Sequence, residues 1–355
     1  MNSLSDTEFS ADLLRFNPPE FGEDTLHFVL KDQYGISGQL KHLAGERDQN
    51  TLVITNDGSK YVLKIAGPDE RKDTVDFQVQ TLLHLERKAP DLYVPRQVKN
   101  RTGEQAGTIT DDSGKTHWVR LVTYVEGDPM GDYDHLDLDA VNGIGSIAGR
   151  MCAALQGFLH PAATDFMPWD GLNGLIFSDE LRNNHLPDSI KTIAEKHLQR
   201  LEMDTMSRLL ALPHQVIHHD AHPGNVICVP GKPNQVKGVI DFGDLICRPV
   251  LMDVSVALAS TLRHNLDILG TASAMLDGYK AHIYFTEDMM SLLYDALCVS
   301  QILTVQLLNY RAQHHASDPE KIRQEDFSGA LENAKRFLEF DQNEFSDHVM
   351  RHADV

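Results

Sequence analysis

The sequence predicts a two-lobed α+β fold, in which a small antiparallel-sheet lobe with one helix precedes a larger, mainly helical lobe. Segments before residue 126 read as strands joined by turn residues, whereas most segments after it carry apolar residues at helical spacing. The stretch Glu126-Gly127-Asp128-Pro129 has the composition of a linker. We therefore expect an N-terminal lobe over residues 1–126 and a C-terminal lobe over residues 127–355.

Two hairpins and one helix are predicted in the N-terminal lobe. The β-rich runs Thr51–Thr55 and Lys60–Ala66 flank Asn56-Asp57-Gly58-Ser59, and Asn/Asp-Gly between apolar runs is the strongest short-range hairpin signal. Apolar residues at helical spacing predict a helix from about Glu70 to Lys88. A second hairpin is expected over 106–125, turning at Asp111-Asp112-Ser113-Gly114.

The C-terminal lobe is predicted to be a series of helices with one non-helical island. The expected helices are Leu138–Phe158, Ile190–Leu212, Met252–Arg263, Asn265–Tyr279, Asp288–Ala312 and Glu325–Glu339. The island, residues 216–244, holds two short β-rich runs, Val226–Val229 and Val236–Ile240, bounded by Pro and Gly.

This island carries the residues typical of phosphoryl transfer. His218-His219-Asp220-Ala221-His222-Pro223-Gly224-Asn225 has the form H-x-D-x-x-x-x-N, and Asp241-Phe242-Gly243 follows it. The 16 residues from Asn225 to Asp241 suffice for a short hairpin that returns the second aspartate beside the first pair. Transfer to a hydroxyl uses such a set, with one carboxylate near the acceptor and an Asn and an Asp for Mg²⁺.

With these motifs, the chain resembles the aminoglycoside phosphotransferase and choline kinase superfamily, small-molecule kinases with a protein-kinase-like fold. The resemblance covers most of the chain and includes Tyr61-Val62-Leu63-Lys64-Ile65 in the first hairpin. Within the superfamily, the chain most resembles the hydroxylysine kinase-like members. The pointers to that group are Val119–Tyr124, His160-Pro161 and Trp169-Asp170.

The resemblance implies a role for each motif residue. Asp220 matches the catalytic aspartate, which accepts the proton of the substrate hydroxyl. Asn225 and Asp241 match the metal ligands. Lys64 matches the strand lysine that contacts the α/β-phosphates, and His218 matches a scaffold residue that hydrogen-bonds the catalytic loop.

Further nucleotide-binding residues are expected on the same grounds. The hinge after the last sheet strand would bind the nucleobase through its backbone, and Leu43–Asn50 occupies the place of the phosphate-covering turn. The residues concerned are Thr123, Tyr124, Val125, Gly45 and Asn50.

Two positions depart from the superfamily pattern. Position 219, often Gly, is His. The helix residue that pairs with the strand lysine is usually Glu, but the register places Gln78 there, with Asp76 one possible shift away. Gln78 is thus the expected partner of Lys64.

The acceptor pocket is expected in the helical lobe. Candidate residues are His222, Trp169, Asp170, Tyr310 and Arg311. An aromatic ring beside a carboxylate suits an ammonium group, and an arginine can hold a carboxylate bidentately. Three of them also have a plain structural interpretation, because Trp169 and Asp170 can pack against and cap a helix and Arg311 can be a surface residue.

Two other kinds of site, a metallohydrolase metal cluster and a P-loop, fit the residues less well. The His and Asp of the catalytic island do not have the spacing of a metallohydrolase, and no second cluster supplies distant ligands. Gly114-Lys115-Thr116 ends like a P-loop, but Ile109 stands where that motif requires glycine.

Composition limits the partners. The chain has 355 residues and a formal net charge of −20, which argues against non-specific binding to nucleic acid or anionic membranes. No uninterrupted apolar run is long enough for a membrane helix, and residues 1–10 do not resemble a signal peptide. The four cysteines are scattered without C-x-x-C, which favours reduced thiols and a cytoplasmic location.

We therefore predict a kinase that transfers the γ-phosphoryl of ATP, or GTP, to a hydroxyl of a small polar, amine-bearing acceptor. Mg²⁺ is the expected cofactor, and the acceptor classes are amino alcohols, hydroxylated amino acids and aminoglycoside-like molecules. The partners are the nucleotide and the acceptor, and a homo-oligomer is left open. A protein Ser/Thr kinase is less favoured because no A-P-E segment follows Gly243. A nucleotide-binding pseudokinase is less favoured because the motif residues are intact.

Overall fold

The computed structural model describes residues 18–314 and 324–353. The described chain forms two compact units. The first holds residues 18–126 together with His160–Ala162, and the second holds Gly127–Leu159 and the described residues from 163 onward.

An antiparallel sheet forms the centre of the first unit. Its strands are β1 (Gly38–Leu43), β2 (Asp48–Thr55), β3 (Lys60–Ala66), β4 (Gln97–Val98), β5 (Gly107–Thr110) and β6 (Thr116–Thr123). They run in the order β1-β2-β3-β6, and both β4 and β5 pair with β6. Gly58, in the left-handed region with φ 84°, closes the β2–β3 turn. Both predicted hairpins are confirmed.

Helices accompany this sheet. Helix α2 (Lys72–Lys88) confirms the predicted helix and buries its apolar face, including Phe77. Helix α1 (Glu23–Val29) continues through a π-helical turn, Leu30–Tyr34, and was missed by the sequence prediction of a single helix. Its seven residues are too few to show a clear period, although its apolar residues join the buried core of the sheet.

The second unit is mainly helical. Its helices are α3 (Leu138–Leu155), α4 (Asp179–Asn184), α5 (Asp188–Arg200), α6 (Met206–Ala211), α7 (Val250–Thr261), α8 (Ile268–Lys280), α9 (Glu287–His314), α10 (Gln324–Leu338) and α11 (Gln342–Ala353). A π-helical turn, Leu201–Thr205, joins α5 to α6, so the predicted helix over 190–212 is continuous but irregular. Among the described residues, α9 alone is long and apolar enough to cross a membrane. Most of its apolar window is buried in this unit, as expected for a core helix.

Short strands frame the non-helical island. They are β7 (Asp128–Pro129), β8 (His214–Ile217), β9 (Val226–Val229), β10 (Lys232–Val239) and β11 (Ile246–Pro249). Strand β9 pairs with both β7 and β10, and β8 pairs with β11. The predicted short hairpin is therefore β9–β10, which starts directly after Asn225 and ends just before Asp241.

Candidate active site

The loop from His218 to Asn225, between β8 and β9, turns sharply at its second residue. His219 has φ 64°, in the left-handed region where a non-glycine residue costs on the order of 1–3 kcal/mol. Glycine adopts this backbone conformation without strain, which agrees with the glycine that the resemblance implies at this position. The His219 amide donates a 2.7 Å hydrogen bond to Oδ1 of Asp253, which is fully buried in the first turn of α7. Asp253 therefore anchors the loop.

Sequence reasoning missed the role of Asp253. The available signal was an aspartate inside the apolar run of residues 250–262, where an acid must find hydrogen-bond donors. The sequence does not reveal which donors those are.

Asp220 and Asn225 are joined directly. The Asn225 Nδ2 donates to Oδ2 of Asp220 at 2.6 Å and to the Asp220 carbonyl at 3.0 Å. These bonds orient the amide, because its nitrogen is committed to Asp220 and its Oδ1 must therefore face the other way. The Asp220 side chain is about a quarter exposed, which leaves it accessible to a substrate hydroxyl.

Asp241 lies next to this pair. The Ile240 amide donates to the Asn225 carbonyl at 2.9 Å, so the chain after β10 returns beside the loop. Asp241 has φ 60°, is exposed, and accepts a 3.0 Å hydrogen bond from the Gly243 amide at Oδ1. The amide oxygen of Asn225 and the carboxylate of Asp241 are hard oxygen donors, the kind that Mg²⁺ takes together with substrate phosphates.

The donor set therefore fits magnesium. Within residues 18–314 and 324–353, no group of three or more His, Cys, Asp or Glu side chains forms a metal site. A cation held by Asn225 and Asp241 would take its remaining ligands from phosphates and water.

Two histidines support the loop. His218 is fully buried, its ring meets Phe242 edge-on at 4.9 Å between centroids, and its Nδ1 accepts from the Asp220 amide at 3.3 Å. Burial lowers the pKa of His218, which therefore stays neutral at neutral pH. His222 accepts from the Gly224 amide at 3.0 Å, and its Nε2 lies 3.7 Å from Asp220 Oδ1.

In the first unit, the structure gives Lys64 partners other than the expected Gln78. Its Nζ donates to Asn50 Oδ1 at 2.8 Å and lies 3.3 Å from Asp48 Oδ2, and both partners are on β2. Gln78 is buried on α2, while the alternative, Asp76, pairs with His160 at 3.2 Å. The expected lysine–helix pair is thus wrong for this structure, because the neighbouring strand brings polar groups closer to the lysine.

Asn50 connects Lys64 to the preceding turn. Its Nδ2 donates to the Ala44 carbonyl at 3.2 Å. A Cβ on Gly45 would lie 2.3 Å from the Asp48 carbonyl oxygen and 2.4 Å from Asn50 Nδ2, so only glycine fits. The turn spans residues 44–47, and the predicted segment Leu43–Asn50 is shortened because Asp48–Asn50 belong to β2.

The backbone of the predicted hinge is partly committed. The Thr123 amide donates to the Arg96 carbonyl at 2.9 Å, and the Tyr124 amide donates to the Lys60 carbonyl at 3.1 Å. The Val125 amide makes no hydrogen bond within the described residues. Of the three hinge amides, that of Val125 is therefore the one without a hydrogen-bond partner among the described residues.

Asp170 does not line an open pocket, in contrast to the sequence prediction. Its side chain is almost fully buried, and Oδ2 accepts two hydrogen bonds from Arg248, at 2.6 and 3.0 Å. Its Oδ1 accepts from the Leu172 amide at 3.0 Å. The carboxylate is already neutralised, so it stabilises the fold and is not available to an acceptor ammonium.

Three other acceptor candidates, Trp169, Tyr310 and Arg311, lie near the end of α9. The Arg311 guanidinium stacks on the Trp169 ring at 4.8 Å, and both residues are half-buried. Tyr310 is buried, and its ring stacks on His314 at 4.2 Å and meets His185 edge-on. Tyr310 is therefore a packing residue, whereas Trp169 and Arg311 remain exposed enough to meet a ligand.

A model of the phosphotransferase enzyme family matches residues 39–290. The chain belongs to this family. It is 20% identical to hydroxylysine kinase from Danio rerio over 288 residues, which is 78% of this chain and 80% of that protein.

Solved structures share the fold. A microcompartment-associated aminopropanol kinase has a TM-score of 0.71 at 17% identity, covering 93% of this chain and all of that one. An amicoumacin kinase in complex with AMP-PNP, Ca²⁺ and its ligand has a TM-score of 0.67 at 16% identity, covering 91% and 97%. The resemblance to the superfamily and the protein-kinase-like fold are confirmed. The protein is a small-molecule phosphotransferase that acts on hydroxyl groups and uses a nucleotide as co-substrate.

Proposed function

We propose that this phosphotransferase transfers the γ-phosphoryl of ATP to a hydroxyl of a small amine-bearing acceptor, with Asp220 as the proton acceptor. The observation that carries the proposal is the linked cluster in which Asn225 hydrogen-bonds the Asp220 carboxylate and the Ile240 amide. The bond from the Ile240 amide returns the chain at Asp241 to the side of this pair, within the second unit.

Asn225 and Asp241 would hold Mg²⁺, which when bound neutralises the charge of the phosphates. Asp220 orients the acceptor hydroxyl and takes its proton as the oxygen attacks phosphorus. Because the transition state of phosphoryl transfer is loose, this orientation contributes more than the basicity of the carboxylate.

Nucleotide binding belongs to residues 1–126 in this proposal. Lys64, held by Asp48 and Asn50, would contact the α/β-phosphates, and the Val125 amide would donate to the nucleobase. A backbone amide can donate a hydrogen bond to either adenine or guanine, so both ATP and GTP belong in the test.

The amine on the acceptor is supported by the relatives. Hydroxylysine and aminopropanol, named in two of the related kinases, each carry a hydroxyl and an amine. The formal net charge of −20 also favours a cationic small molecule over an anionic one. Residues 127–355 would hold this acceptor.

The test is turnover of ATP and GTP against a panel of amino alcohols, hydroxylated amino acids and aminoglycosides, with wild type, Asp220→Asn and Asp241→Ala. We expect Asp220→Asn to lower turnover by about 10²–10⁴-fold, the usual contribution of a positioned proton acceptor, with nucleotide affinity by calorimetry almost unchanged. Asp241→Ala should abolish Mg²⁺-dependent turnover.

Three results would contradict the proposal. Near wild-type Mg²⁺-dependent turnover in Asp241→Ala would mean that Asp241 is not a ligand of the metal. Collapse of nucleotide affinity in Asp220→Asn with an unchanged chemical step would make Asp220 a nucleotide or metal ligand. Nucleotide binding without turnover of any acceptor would indicate a pseudokinase.

A further inference from the structure

A buried hydrogen-bond cluster lies beneath the catalytic loop in the second unit. While Oδ1 of Asp253 accepts from the His219 amide, Oδ2 accepts from the Tyr279 hydroxyl at 2.8 Å and from the Cys152 thiol at 3.3 Å. All three of these side chains are fully buried. The carboxylate that anchors the loop is therefore itself fixed by two donors from other helices.

These two donors do not act as acids. Burial, followed by the charge of Asp253, raises the pKa of both the Cys152 thiol and the Tyr279 hydroxyl well above their ordinary values. Both groups keep their protons at neutral pH and remain donors. Within the described residues, Asp253 has no ion-pair partner, so its buried carboxylate is stabilised by hydrogen bonds.

The packing of α3 against α8 places the two donors. Cys152 is on α3 and Tyr279 is on α8, and glycines allow the two helix backbones to approach closely. A Cβ on Gly278 would lie 2.3 Å from the Asn142 carbonyl oxygen, and one on Gly145 would lie 2.2 Å from the Met275 carbonyl oxygen. Since neither backbone can yield, the helices meet at one separation and register.

Loss of a donor should therefore act on the loop. With only one donor left on Oδ2, the carboxylate of Asp253 can rotate. Its Oδ1 then leaves the His219 amide. His219 precedes Asp220 and has a strained φ of 64°, so release of its amide allows the backbone to relax. Asp220 would then lose its orientation, while nucleotide-binding groups in residues 18–126 are unaffected.

We propose that Tyr279 and Cys152 are positioning residues, which hold the catalytic loop through Asp253 and the His219 amide. The proposal rests on the proposed role of Asp220. Through the catalytic loop, the interior of the α3–α8 pair thus influences the rate of phosphoryl transfer.

The experiment compares Tyr279→Phe, Cys152→Ala and Cys152→Ser with two matched controls. Tyr294→Phe removes a buried hydroxyl that donates to the Phe340 carbonyl, and Cys298→Ala removes a buried thiol that contacts His197. Neither control side chain hydrogen-bonds Asp253. The readouts are kcat and KM for ATP with the acceptor found in the panel, Tm, and hydrogen exchange of the peptide over residues 214–225.

We expect Tyr279→Phe to lower kcat about 10-fold, as for one lost hydrogen bond to a buried carboxylate, with KM for ATP within twofold. Cys152→Ala should lower kcat about 3-fold because a thiol is a weaker donor, and Cys152→Ser should restore it. Exchange in the 214–225 peptide should become faster in Tyr279→Phe and Cys152→Ala. The controls should keep wild-type kcat and exchange in this peptide.

Lower Tm with wild-type kcat and wild-type exchange in both Tyr279→Phe and Cys152→Ala would overturn the proposal and leave a purely structural cluster. A rate loss in Cys152→Ala that Cys152→Ser does not restore would also overturn it. Exchange does not depend on an acceptor, so it separates the two hypotheses. If Asp220→Asn keeps full turnover, the proposed function fails. If Asp220→Asn behaves as expected but the loop exchanges normally, only this inference fails.

Discussion

At the scale of single residues, Asp48 interacts with two cationic side chains in the first unit. Its Oδ2 lies 3.3 Å from both Lys64 Nζ and an Arg120 guanidinium nitrogen, and Lys64 and Arg120 are directly opposite on β3 and β6. Arg120 is only 3% exposed, so its charge requires a close partner. One carboxylate thus neutralises a buried arginine and orients the lysine that we assign to the phosphates.

This arrangement predicts that the lysine depends on β2 and not on α2. Asp48→Asn should raise KM for ATP about 10-fold, because Lys64 loses a charge-assisted contact. Asp76→Asn, on α2, should leave KM within twofold. Steady-state kinetics of the two variants checks this. Measurement of Tm detects the stability lost when the Asp48–Arg120 ion pair is weakened. A large rise in KM for Asp76→Asn alone would restore the helix as the partner of Lys64.

At the scale of elements, the α3–α8 contact leaves no room for a side chain at Gly278. A Cβ on Gly278 would meet the Asn142 carbonyl oxygen at 2.3 Å and the Ser146 amide nitrogen at 2.5 Å. Both are backbone atoms of a helix, so relief requires the helices to separate. The same contact holds Tyr279, the next residue along α8.

Gly278→Ala should therefore destabilise the protein by about 2 kcal/mol or more, since overpacking outweighs the helix propensity of about 1 kcal/mol that favours alanine. Urea denaturation measures the difference. Gly22→Ala is the control, because a Cβ there meets nothing within 4 Å and φ is negative. A Gly278→Ala variant as stable as wild type would mean that the helices do not pack this closely.

At the scale of the whole molecule, buried histidines make stability depend on pH. Burial lowers the pKa of His185, His197, His218 and His264, so each is neutral in the folded protein at pH values where the unfolded chain is protonated. Below the unfolded pKa of about 6.5, the unfolded state binds more protons, and this contribution to stability is lost as the pH falls.

We expect the free energy of unfolding to fall between about pH 7 and pH 5. His197→Gln should reduce the slope, because glutamine can still donate to the Leu338 carbonyl but does not titrate. Urea titrations at several pH values check this. The matched variant separates the histidine contribution from the general relief of repulsion as the net charge of −20 is neutralised. An identical slope in wild type and variant would contradict the assignment.

The sequence by itself determined the order of sheet and helices, the two hairpins of the first unit, helix α2 and the β9–β10 hairpin. It also predicted that the chain returns at Asp241 to the pair of Asp220 and Asn225, as the Ile240–Asn225 backbone hydrogen bond shows. These features are encoded locally, because turn residues, side-chain periodicity and motif spacing act over about 20 residues or fewer.

Only the tertiary structure decided which polar groups meet. Arg248 neutralises Asp170 from 78 residues away, and Cys152 contacts Asp253 across 101 residues. Lys64 takes Asp48 because antiparallel pairing sets β2 beside β3, whereas the helix register alone favoured Gln78. The physical reason is that a buried polar group binds whichever donor or acceptor packing brings within about 3 Å, and side-chain pattern along the chain does not contain that distance.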